Sequence, residues 1–358
     1  MAEPGSAAAA LEPAVVDAME ALAAVIAARD DGGAAALEAR TLLGWLHWYR
    51  YVAIGGELTG GKSAAGHRKA AIEMFLPIFV SPATISEPLA AAGSGVAGSL
   101  LTEFPEQLLP ELATAAVEIG TRLLSDAVET QDADESVVAV RLWRRIVTAT
   151  PVDDAERAGS LANLGVALQQ QYAHSDATAD LDEAIQIGRE AAAACPDDDA
   201  NRARILANLA HGLESRFRRF ERTSDVDEEV RVRAAAVDAI EADDPERAMF
   251  VSDLATAFHA RFEHAEAPAD LDEAIRINRC ALEAALDDDP ERVLFLSNLA
   301  AMLRIRFARR DEAADLDEAI RAARDTTAAA GPHDPDRALP VGSGRRLELP
   351  LRAHRFDR

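Results

Sequence analysis

The chain has 358 residues, with 37 basic against 62 acidic side chains and a formal net charge of −25. Such a charge repels phosphate backbones and anionic lipid, so nucleic acid and membrane surfaces are excluded as expected partners. Hydrophobic residues reach 49% but aromatics only 5%, so the core must be built from Ala, Leu, Val and Ile, which suit close-packed helices better than sheets.

The N-terminus, MAEPGSAAAALEP, has neither the basic region nor the apolar run of a secretory signal. No stretch approaches the roughly 20 uninterrupted apolar residues of a membrane helix. A cytoplasmic protein is expected. Residues 8–29 and 34–52 predict two helices, and His67 to Val80 a third. Trp45, Trp48, Tyr49 and Tyr51 fall at spacings that form one helix face, either core packing or a ligand patch. Between the second and third helices lies Gly56-Glu-Leu-Thr-Gly-Gly61-Lys62-Ser63, a formal match to the GxxxxGK[ST] phosphate loop. A nucleotide site at Gly61, Lys62 and Ser63 would need a strand before it and a parallel sheet around it. The segment 41–51 reads instead as helix, which makes a Gly-rich connector the competing reading. Residues 81–99 hold too many breakers for one long helix. The region 1–106 is expected to be helical and built of diverged repeats.

From residue 107 a repeat sets the architecture. Asn163-Leu164, Asn208-Leu209, Asp253-Leu254 and Asn298-Leu299 recur every 45 residues, as do Arg157, Arg202, Arg247, Arg292 and Arg337. Tyr172, Phe217, Phe262 and Phe307 keep the same interval, and so do Asp180, Asp225, Asp270 and Asp315. Each unit predicts two helices. The first carries Leu161, Leu164 and Leu168 on one stripe; in the fourth copy Asp289 is expected to cap it, with Pro290 at its first position and Glu291 meeting the dipole. The second is expected to open with Asp180 as its cap and Glu183 three residues on, a capping box. Ala184, Ile185 and Ala191 should face inward. Counting back, Pro110 to Val128 and Ser136 to Thr148 form a degenerate unit, so 107–331 holds five units of 45 residues.

At this point the sequence resembles the tetratricopeptide repeat (TPR) family. Asn163-Leu164-Gly165, Asp182-Glu183-Ala184-Ile185, Ala191 and Pro196 match its two helices and closing proline. Gly165, Ala210, Ala255 and Ala300 stand where the helices touch. The period is longer than the family's usual one, and Glu229 replaces an expected Ala. The long form looks most like the arrays that precede caspase-like CHAT protease modules in high-GC bacteria, although the protease module itself is absent. The resemblance implies an all-α, TPR-like α-solenoid of stacked antiparallel helix pairs in a right-handed superhelix. It also implies a protein–protein interaction scaffold that takes a protein or peptide in its concave groove. The inward positions are then Asn163, Asn208, Asp253 and Asn298, followed by Val166, His211, Thr256 and Ala301, then Gln169, Glu214, His259 and Arg304. An Asn ladder of this kind either hydrogen-bonds an extended peptide or ties adjacent helices together. Ala162, Ala207, Ser252 and Ser297, with Gln170, Ser215, Ala260 and Ile305, stand at the positions where carboxylate-clamp members carry cations, which disfavours a chaperone-tail clamp.

No catalytic set emerges. The histidines are scattered, and His174 and His264 occupy equivalent places two repeats apart. Cys195 and Cys280 cannot make a disulfide framework or a four-ligand zinc site. The acidic loops Asp153-Asp154, Asp197–Asp199, Asp243-Asp244 and Asp287–Asp289 lack the spacing of a calcium loop. No enzyme activity, metal or cofactor is expected; the alternatives are a nucleotide-binding enzyme using Lys62 and the regulatory remnant of a truncated TPR-CHAT protease. The segment 332–358 begins another repeat at Arg337, then turns basic and rich in breakers. It reads as an irregular tail or as a sign of truncation.

Overall fold

A computed structural model describes residues 13–28, 34–54, 62–81, 104–286, 289 and 291–329. Among these residues all regular structure is helical, with no strand. The chain divides into two compact units, 1–167 and 168–358.

The first unit opens with α1 (Pro13–Ala28), α2 (Ala34–Ala53) and α3 (Lys62–Phe79). Helices α2 and α3 approach closely because Gly44 has no side chain: a Cβ there would lie 2.7 Å from the Phe75 ring. Trp45 meets Phe75 edge-on at 5.9 Å, while Trp48 and Tyr51 are buried. Trp48 and Tyr51 are therefore core, whereas Trp45 and Tyr49 are half-buried. A short 3-10 turn (Glu106–Leu108) leads into α4 (Leu109–Thr130) and α5 (Ala133–Ala149), the predicted degenerate pair, and the unit closes with the first part of α6 (Arg157–Ser175). Buried Arg145 ties α5 to the end of α3: its guanidinium donates to the Phe79 carbonyl at 2.8 Å and lies over the Phe79 ring. Arg68 on α3 pairs with Glu111 on α4.

The second unit runs on through α7 (Thr178–Ala194), α8 (Arg202–Phe220), α9 (Thr223–Ala239), α10 (Arg247–Ala265), α11 (Pro268–Ala284), α12 (Arg292–Arg310) and α13 (Ala313–Ala329). From α7 onward each helix packs on the next, so that antiparallel pairs stack in order. Their apolar stripes interlock. Leu181 and Ile185 of α7 meet Leu209 and Leu213 of α8, and Leu254 and Phe262 of α10 share a core with Leu271, Ile275, Leu299 and Leu303. Ala210, Ala255 and Ala300 are at most 2% exposed, as helix contact positions must be when only a methyl fits.

The helix starts differ from expectation at two places. Asp180 does not cap α7, which starts at Thr178 with Ala177 at its N-cap. Its equivalents Asp225, Asp270 and Asp315 also lie within the first turn. Asp289 does not cap α12 itself. Its Oδ1 accepts the Glu291 N–H at 2.8 Å, closing a turn just ahead of the helix, and Asp154, Asp199 and Asp244 do the same for Glu156, Asn201 and Glu246. A short acidic side chain is well placed for such a turn, because it mimics a backbone carbonyl. The tail 332–358, including Arg337, and most of 81–99 lie outside the described residues.

Candidate functional site

The predicted inward residues sit in varied surroundings. Asn208, Asp253 and Asn298 occupy the same turn of α8, α10 and α12 and are each partly exposed. The amides of Asn208 and Asn298 make no side-chain hydrogen bond among the described residues, so the ladder does not tie these helices together. The cross-repeat bond runs elsewhere: Gln169 Nε2 donates to the backbone carbonyl of Asn208 at 3.0 Å. Asn163, in the first unit, is 6% exposed. Arg304 is exposed, and His211 is partly so. His259 stacks on Phe262, and its buried Nε2 has no hydrogen-bond partner; burial holds this histidine below its ordinary range against the opposing pull of Glu263.

Glu214 is buried in a charge cluster that the sequence did not reveal. Arg233 of α9 is 5% exposed and fans out to three carboxylates: Nε donates to Glu229 at 2.8 Å, Nη1 to Asp253 at 2.9 Å, and Nη2 to Glu214 at 2.8 Å. Arg218 covers the other Glu214 oxygen at 2.6 Å, while His211 Nδ1 lies 3.8 Å from the oxygen that Arg233 holds. Burial pushes the Glu229 carboxyl up although Arg233 pulls it down, and its second oxygen is buried without a partner. The equivalent positions in the preceding copy hold Ala184 and Gly188, and in the following copy Ala274 and Asn278. One junction between repeats therefore carries charge where its neighbours carry small or neutral side chains. The signal was present as two departures four residues apart, but only packing shows that both point inside.

A second network repeats with the fold. Arg216 grips Asp225 with two bonds of 2.9 and 2.8 Å, and reaches Asp182 of the preceding pair at 2.7 Å. Arg261 holds Asp270 and Asp227 in the same way, and Arg306 holds Asp315 and Asp272. In the first copy Gln171 replaces the arginine and donates to Asp180 at 2.8 Å. The recurrent Asp is thus a ligand for the neighbouring helix. Its partner arginine also recurs every 45 residues, a signal that the sequence reading passes over. The other recurrent arginine has a separate task. Arg202 Nη1 donates to the Cys195 carbonyl at 2.7 Å and Arg247 Nη1 to that of Ile240 at 2.7 Å, satisfying carbonyls left free at the end of the preceding helix.

Among the described residues no group of three or more His, Cys, Asp or Glu side chains could hold a metal ion. Burial pushes the Cys195 thiol up, away from a reactive thiolate. The phosphate-loop reading requires a strand ahead of the glycines, but α2 fills that place as far as Ala53. Lys62 and Ser63 open α3, and Gly61 lies outside the described residues. No helix among the described residues is long and apolar enough to cross a membrane.

Stacked antiparallel pairs with a fixed period define an α-helical repeat protein. Residues 157–193 match the family model of the tetratricopeptide repeat. That segment, α6 and nearly all of α7, carries a tetratricopeptide repeat. Two solved structures are similar in part. One, a "putative kinesin light chain nearly identical TPR-like repeats" of Podosopora anserina, shares 16% identity over 63% of this chain and 99% of its own, with a TM-score of 0.44. A substituted form of that same protein shares 15% identity over 60% and 98%, with a TM-score of 0.45. A comparison with curated proteins finds no significant match. Repeats of this architecture build extended surfaces for binding other proteins.

Proposed function

We propose that the protein is a non-enzymatic scaffold that binds an extended protein or peptide segment along the first helices of its repeats, centred on α8, α10 and α12. The observation that carries this reading is the row of Asn208, Asp253 and Asn298. They stand at one level on successive first helices, partly exposed, and neither asparagine amide is spent on the fold. An amide offers both donors and an acceptor, which is what the alternating N–H and C=O groups of an extended backbone require. Asp253 adds a negative group to the row, half of its side chain exposed and one oxygen engaged by Arg233. The buried network around Arg233 fixes the relative placement of α8, α9 and α10, and so the spacing of the row.

A photo-crosslinking side chain placed at Asn298 should capture a defined partner from native lysate, whereas the same group at Gln186, exposed on α7, should not. Asn208→Ala combined with Asn298→Ala should then weaken binding of that purified partner without loss of helicity. Wild-type affinity in the double variant would sink the assignment of this face.

A further inference from the structure

His47 on α2 and His67 on α3 bring their Nδ1 atoms to 3.0 Å, with ring centroids 5.3 Å apart and planes tilted by 38°. Two neutral imidazoles can share one N–H at this distance. It is also the distance at which two nitrogens occupy neighbouring corners of a metal ion. With metal–nitrogen bonds of about 2.0–2.1 Å, the pair would subtend roughly 94° at the ion. A tetrahedral zinc ion would need its nitrogens about 3.3–3.4 Å apart. The near-right angle suits the square-planar or octahedral preferences of copper(II) and nickel(II). We propose that His47 and His67 form a two-histidine site for Cu2+ or Ni2+, with water in the remaining positions.

The scaffold holds the pair in place from below. Gly44, one turn before His47, lets α2 settle onto Phe75 of α3, and Trp45 packs on the same ring. Each histidine therefore projects from a helix whose partner is fixed by core contacts, and little ordering remains to be done on binding. The protonation state also suits a ligand. Burial, then the neighbouring His67 and Arg50, hold His47 down at about 4, and burial and Arg50 lower His67, so both rings are neutral at pH 7. A neutral ring is what a metal needs. The charged groups facing the pair are Arg50, which opposes a cation, and Glu73, which offsets it. On binding, the proton shared between the two Nδ1 atoms moves to an Nε2, so no net proton is released from the neutral pair. The metal is bound as it comes, with no change of oxidation state.

The test uses the untagged full chain and Cu2+, with glycine as competitor to suppress weak binding across the acidic surface. One ion per chain should bind by calorimetry, electron paramagnetic resonance should show two nitrogen donors, and fluorescence of the adjacent Trp45 and Trp48 should fall. His67→Gln and His47→Gln should each remove one nitrogen from the spectrum and weaken binding by at least about tenfold, since the second donor acts at high effective concentration. Circular dichroism checks that both variants keep their helices. A readout free of any variant is proton NMR of the wild type, in which substoichiometric Ni2+ should broaden the His47 and His67 ring signals before those of any other histidine. Failure of the wild type to bind Cu2+, unchanged binding in both variants, or broadening that starts at other histidines would each overturn the proposal.

Discussion

Arg216 shows how one side chain can serve several elements at once. Its side chain is 12% exposed and that of Asp225 2%, so the bidentate pair is largely withdrawn from water. In such surroundings the Coulombic gain is partly consumed by desolvation, and the strong effect appears when one partner is removed. Arg216→Ala leaves Asp225 buried without its cation and should cost about 3 kcal/mol of unfolding free energy. Arg216→Gln should cost clearly less, because Gln171 already fills the equivalent place in the preceding copy and still donates to Asp180. Urea denaturation of the two variants measures this. Equal losses would mean that the arginine acts through its charge alone. The Arg233 cluster obeys the same physics at higher stakes, with three carboxylates on one buried guanidinium.

At the scale of the element, the first helices end in an unusual way. Gln131, Asp176, Glu221, Glu266 and Asp311 all take positive φ of 52–55° at the helix C-terminus. The Glu221 N–H still reaches back to the Phe217 carbonyl at 2.7 Å, so the turn is closed as it would be with glycine. A side chain in this conformation costs roughly 1 kcal/mol, which glycine avoids at some expense in chain entropy. Glu221→Gly should therefore stabilise the protein by about 0.5 kcal/mol, read as a small rise in midpoint without a change in denaturant dependence. Destabilisation would show that the Glu221 side chain contributes something its surroundings do not reveal. Because none of the five positions holds glycine, the usual sequence mark of a helix end is missing. The apolar stripe of Leu161, Leu164 and Leu168 therefore marks no end for α6, which runs on to Ser175.

For the whole molecule, the ion-pair networks predict how stability responds to acid. Arg306 holds Asp315 below the usual carboxylate range; burial would raise Asp272, but Arg310 and Arg306 bring it down, and Arg189 does the same for Glu228. A carboxylate depressed in the folded state stabilises fully above its unfolded value near about 4, and that contribution is lost as pH falls through the lower folded value. His259, lowered by burial, has the same sign: the unfolded chain begins to bind its proton near about 6.5, before the fold can. Glu229, raised by burial, acts oppositely and relieves a penalty as it protonates. With one group opposing several, the melting temperature should decline gently below about pH 6.5 and steeply below about pH 4. Calorimetric scans across that range test it; a melting temperature that climbs steadily on acidification would contradict the role given to the pairs.

The sequence by itself determined the helical class, the period, the pairing of helices within each unit and the small residues at their contacts. These follow from local rules, since every copy must bury the same apolar stripe against a neighbour of the same kind. It also exposed the recurrent Asp and Arg, but not what they touch. Only the tertiary structure decided that Asp225 serves Arg216 rather than a helix start, that Arg202 closes the helix before it, and that Glu229 and Arg233 lie inside. Such pairings join residues far apart along the chain, 34 positions from Arg216 back to Asp182, and their geometry depends on how closely two helices approach. The same holds for His47 and His67, which nothing in their separate helices connects. Periodicity is written along the chain; the meeting of polar side chains is set by the packing that the periodicity brings about.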